Sequence, residues 1–76
     1  MWMKLSDIKV GEEARVTDIR VNGGIKRRLY DIGLIPGTII KAVMQSPFGE
    51  PIAYNIRGSI IAIRKEDTSK ILVEVL

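Results

Sequence analysis

Two of the residue types that most often carry chemistry are missing from this chain of 76 residues: it has no His and no Cys. Serine–histidine and cysteine–histidine nucleophile pairs therefore have no members, and neither do the thiolate and imidazole shells of zinc sites. The lack of Cys also excludes a disulfide framework. What remains is charge, 12 Lys and Arg against nine Asp and Glu. Acids stand side by side in Glu12-Glu13 and in Glu66-Asp67. Neighbours on a strand point to opposite faces, so Glu12-Glu13 reads as solvated surface rather than an acid–base pair. Glu66 and Asp67 are the candidates for a hard, oxygen-liganded cation. Neither catalysis nor a resident cofactor is expected.

Basic and acidic residues alternate along much of the chain, and Lys26-Arg27-Arg28 is the one basic cluster. On a helix these three would spread over roughly 200° of arc. They read first as a solvated face and second as a docking rim for an acidic partner. A nucleic-acid binder gathers its charge on one face, so nucleic acid is not the expected partner. The four aromatics, Trp2, Tyr30, Phe48 and Tyr54, are too few to line a groove for proline-rich peptides. Tyr54 shares a face with Ile52 and Ile56 and belongs at least partly to the core. Phe48 stands in the polar stretch Ser46-Pro47-Phe48-Gly49-Glu50-Pro51, where a large apolar residue is a contact candidate. On expected exposure, Lys26, Arg27, Tyr30, Pro47 and Phe48 are the residues most suited to touch a partner.

The stretch RLYDIGLIPGT, residues 28–38, offers glycines that could cradle a ligand. A phosphate loop needs a Lys-Ser or Lys-Thr pair after its second glycine, and none follows here. Gly33 to Gly37 spells G-x-x-x-G, but it contains Pro36 and does not lie inside an apolar 20-mer, which rules out a membrane helix dimer. The glycines fit structural punctuation better. Ile25, Leu29 and Ile32 fall on one face at about 100° per residue, which predicts a helix over 24–32 capped by Asn22 or Gly23. Gly33 then takes the left-handed position after the helix, and Leu34 packs back against Leu29 in a Schellman motif. Pro36-Gly37 suits the centre of a type II turn.

The elements that must position these residues are otherwise strands. Glu13 to Val21 alternates, but the apolar parity changes between Val16 and Ile19, which predicts a bulge around Thr17-Asp18. Thr38 to Gln45 reads as a central strand. Ile52 to Arg57 and Ser59 to Arg64 flank a tight turn at Arg57-Gly58, and Ile71 to Leu76 closes the chain after a helical turn in Lys65 to Lys70. About five short strands in a single domain, residues 1–76, cannot cover two faces of a flat sheet. A small SH3-like barrel with a short helix between its first and second strands solves this and removes the exposed edges. The segment MWMKLSDIKVGEE lacks the apolar run of a secretory signal, and no stretch approaches the about 18 apolar residues that span a bilayer. A cytoplasmic protein without membrane insertion is expected; the oligomeric state is left open.

Together, Leu29-x-x-x-Gly33-Leu34-x-Pro36-Gly37-Thr38, Ser46-Pro47-Phe48-Gly49-Glu50-Pro51-Ile52 and the run Arg57 to Asp67 closely resemble the FeoA family, over residues 3–75. The spacing of helix stop, Pro-Gly turn and Gly-Glu-Pro loop carries the resemblance, and Met1-Trp2 lies outside it. The resemblance implies an SH3-like barrel with a helical insertion. It also implies a small cytoplasmic accessory protein of prokaryotic ferrous iron uptake, acting with FeoB, a membrane permease that carries a cytosolic GTPase domain. With no helix-turn-helix and no transmembrane span, the chain resembles the stand-alone form. Family descriptions mention transition-metal binding; here it would rest on carboxylates. The expected role is non-enzymatic docking on FeoB that modulates transport. The alternatives are a small-barrel nucleic-acid binder and a carboxylate-based divalent-metal sensor.

Overall fold

The parity change in the first long strand shows how the pattern becomes geometry. In the computed structural model, which describes residues 2–76, Ala14 and Val16 are buried on one side of the irregularity and Ile19 on the other. Val16 pairs with Val73 and Asp18 with Leu72, which leaves Thr17 as the extra residue of a bulge. Its hydroxyl donates to the Leu72 carbonyl at 3.1 Å. The bulge rotates the chain so that both apolar sets reach the core.

The elements follow in the order β1 (Trp2–Lys4), a 3-10 turn (Leu5–Asp7), β2 (Glu13–Ile19), α1 (Gly23–Asp31), β3 (Ile39–Gln45), β4 (Ile52–Ile56), β5 (Ser59–Ile63), α2 (Lys65–Thr68) and β6 (Ile71–Val75). All pairings are antiparallel in the sheet order β1-β6-β2-β3-β4-β5. The strand count is thus six rather than about five, and the helix lies between the second and third strands. The added strand, β1, is too short to show a period, and it is fixed by pairing Met3 with Val73. Just after it, Leu5 and Ile8 enter the core.

The strongly curved sheet wraps one cluster that includes Leu5, Val16, Leu34, Ile40, Tyr54, Ile56, Ile71 and Val73. It does not close. Among the described residues β1 and β5 each pair on one side only, so the exposed edges that a closed barrel would abolish persist. The β4–β5 turn is as tight as expected, with Arg57 at φ 52° and Gly58 at φ 91°, both in the left-handed region that a two-residue hairpin requires. A second bulge, at Val43 in β3, was not signalled by the sequence because Val43 and Met44 leave no clean alternation.

Tyr54 is wholly buried. Its hydroxyl lies near that of Thr68 but has no hydrogen-bond partner among the described residues, while the Thr68 hydroxyl donates to the Lys65 carbonyl at 3.3 Å. Burial pushes the Tyr54 phenol above its usual range.

Candidate docking surfaces

Helix α1 presents two faces built by its repeat. Leu29 is buried, Ile32 half-buried and Ile25 45 % exposed, so the face expected to lie wholly inward is only partly covered. The helix starts at Gly23 after Asn22, whose side chain makes no capping hydrogen bond. Its end is a full Schellman motif. Leu34 N–H donates to the Leu29 carbonyl at 2.9 Å, and Gly33 N–H donates to that of Tyr30 at 3.0 Å. Gly33 has φ 93°, and a Cβ there would run into the side chain of Arg57. The β4–β5 turn therefore lies against the helix stop.

Pro36-Gly37 forms the expected type II turn, with Thr38 N–H bonded to the Ile35 carbonyl at 3.0 Å and Gly37 at φ 98°. Thr38 joins the two devices. Its buried hydroxyl donates to the Gly33 carbonyl at 2.8 Å and accepts from Ile35 N–H at 3.3 Å. Leu29, Gly33, Leu34, Pro36 and Gly37 are thus parts of one stop-and-turn unit.

On the outer face of α1, Gly23, Lys26, Arg27 and Tyr30 line a shallow depression of about 330 Å³. The Lys26 ammonium lies 5.8 Å from the centre of the Tyr30 ring, within cation–π range. Three of the five contact candidates therefore share a surface. Arg28 instead faces the other side, where it lines a groove with Ile25, Leu29, Ile32, Ile61, Ala62, Ile63, Arg64 and Asp67.

Pro47 and Phe48 occupy the β3–β4 loop. Gly49 N–H donates to the Ser46 carbonyl at 2.8 Å, Ser46 N–H to that of Pro51 at 3.2 Å, and the Gln45 amide to that of Gly49 at 3.1 Å. The Glu50–Pro51 peptide is cis. This network leaves Phe48 94 % exposed at the apex rather than folded onto the sheet. Nearby, Met44 is 61 % exposed. The Glu50 carboxylate accepts the Lys65 N–H at 3.0 Å, satisfying one of the free donors at the start of α2.

Glu66 and Asp67, successive residues on that helical turn, diverge by about 100°. Asp67 lines the groove while Glu66 is exposed. Among the described residues no three Asp, Glu, His or Cys side chains gather as a metal site, and the pair does not fit a tightly held ion. Sequence reasoning missed the groove, whose walls come from distant segments, and the exposed Trp2, Ile39 and Ile60.

The FeoA domain model matches residues 3–75. The chain belongs to the FeoA family. A solution structure of a FeoA protein from Chlorobium tepidum is 36 % identical, with a TM-score of 0.93, over 97 % of this chain and 70 % of that one. The zinc-complexed FeoA of Stenotrophomonas maltophilia, described as a procaryotic SH3 domain protein, is 26 % identical with a TM-score of 0.83, over 95 % of this chain and 89 % of that one. The FeoA architecture seen here is therefore SH3-like and mostly β. A fusion of Fe(2+) transport protein A with the Fe(2+) transporter FeoB in Porphyromonas gingivalis is 30 % identical over 97 % of this chain. The chain spans 9 % of that protein's length. In this FeoA domain no helix among the described residues is long and apolar enough to cross a membrane.

Proposed function

We propose that this chain is a non-enzymatic, cytoplasmic accessory protein of ferrous iron uptake that docks on FeoB, at its cytosolic GTPase region, and modulates transport. The carrying observation is the Porphyromonas gingivalis relative, in which a transport protein A segment is covalently joined to FeoB. Covalent joining of two modules gives a permanently high effective concentration, which favours partners that act together. The surface supports docking rather than turnover. Lys26, Arg27 and Tyr30 form a basic, aromatic rim, and Phe48 projects from a loop braced by its own hydrogen bonds.

Co-purification with full-length FeoB in detergent, in nucleotide-free, GDP-bound and non-hydrolysable GTP-bound states, tests this reading. Retention in at least one state is expected, weakened by Phe48→Ala or by Lys26→Glu with Arg27→Glu. Failure of the unaltered chain in all three states overturns it.

A further inference from the structure

The groove between α1 and β5 combines an open sheet edge with an apolar wall and unpaired positive charge. Its volume is about 390 Å³, within the size range of ligand-binding clefts. One wall is the inner face of α1, Ile25, Arg28, Leu29 and Ile32, and the other runs from Ile61 to Ile63 of β5 into Arg64, the residue before α2. In a two-residue hairpin the residues flanking the turn form a hydrogen-bonded pair, and such pairs alternate from there. Ile56–Ser59, Tyr54–Ile61 and Ile52–Ile63 are then the bonded pairs of the β4–β5 register. Ile60 and Ala62 direct their N–H and C=O groups away from β4, towards the free edge.

An unprotected edge invites strand addition, and natural proteins commonly blunt it with charge or proline. Here the edge strand reads Ser59-Ile60-Ile61-Ala62-Ile63, without either. The charged residues lining the groove beside it are Arg28 and Arg64, against Asp67. Among the described residues the ion pairs are Arg15–Glu74 and Arg20–Asp18, so both groove arginines lack an acidic partner. We infer that the groove receives an extended segment of a partner protein, apolar at alternate positions and acidic at one end, which adds as a strand to β5 and meets Arg28 and Arg64. Its alternate side chains fill the space beside Ile25, Ile32 and Ile61, and its acidic end is held by the two guanidinium groups. The face is opposite to that of Lys26, Arg27 and Tyr30, and the inference does not depend on FeoB as the partner.

The test is a titration of the isotope-labelled full chain with three hexapeptides of alternating valine and threonine, opened by two glutamates, two glutamines or two lysines. The glutamate peptide is expected to bind at least tenfold more tightly than the lysine peptide. It should shift and protect from exchange the amides of Ile60 and Ala62. Ala62→Pro deletes an outward N–H without deleting a β4 bond, a place where an edge strand tolerates proline; it should abolish binding while melting stays cooperative. Should that variant not fold, the Arg28→Glu, Arg64→Glu double variant is expected to reverse the order of the charged peptides. The inference is overturned if no peptide binds, if binding ignores peptide charge, or if the shifts map to Phe48 or Tyr30. It is equally overturned if the same amides become protected by self-association at rising concentration, which would make a second copy the occupant.

Discussion

Between α1 and β3 the chain turns twice and buries Leu34 and Thr38, while between β3 and β4 it turns back and leaves Phe48 94 % exposed. Both segments bend at proline and glycine beside large apolar side chains, Leu34 and Ile35 in the first and Phe48 in the second. In the first, the helix and the curled sheet supply two surfaces, and Leu34 seals them with no exposed area. In the second, the hydrogen bonds of Ser46, Gly49 and Gln45 close the loop on itself. Nothing is needed from Phe48 to hold that bend. An apolar residue at a turn is thus a fastening where two elements meet, and a displayed contact where the turn is self-sufficient.

The contrast predicts a graded set of stabilities. Leu34→Ala should have the largest effect, a loss of about 2–5 kcal/mol from lost transfer energy and a cavity between helix and sheet; chemical denaturation measures it. Gly33→Ala comes next. The left-handed backbone at φ 93° disfavours any Cβ, and the Arg57 side chain must also move. A loss of about 1–3 kcal/mol is expected. If Gly33→Ala were neutral, the helix stop would not be the rigid fastening described.

Much of this contrast was legible before the fold was known, because local rules fix the bulge at Thr17, the Schellman stop at Gly33 and the type II turn at Pro36-Gly37. Such features need only the conformational preferences of a few neighbouring residues. The three-residue β1 was not legible, since so short a segment carries no period and is defined by its pairing with β6. The open edge at β5 was also missed. Whether a curled sheet closes depends on strand number, tilt and stagger together, which no single segment encodes. The same limit hid the groove, because Ile25 and Ile61 meet only once the helix has been placed. Phe48 was a candidate by type and setting, and its exposure followed from loop hydrogen bonds that residue identities alone leave undetermined.

A milder effect falls on the second region. Glu50→Ala removes the acceptor for Lys65 N–H at 3.0 Å and frees the loop from α2. Because both residues are exposed, water can replace the carboxylate, and the loss should be about 0.5–1 kcal/mol. Faster amide exchange at Lys65, with β3 and β4 amides unchanged, would locate the effect at the cap. Loosening that spread through β4 would show instead that the loop depends on α2 for its shape.

Phe48→Ala should have the smallest effect on stability and the sharpest consequence for the comparison. A side chain with 94 % of its surface in water contributes almost no burial, so its removal should change stability by no more than about 0.5 kcal/mol. A larger loss would mean that Phe48 packs against the sheet in solution, making the two bends equivalent fastenings. Unchanged stability with weakened retention on FeoB would separate the two roles cleanly. The free energy of exposing a phenyl ring would then be recovered only in the complex, where burying it removes apolar area from water.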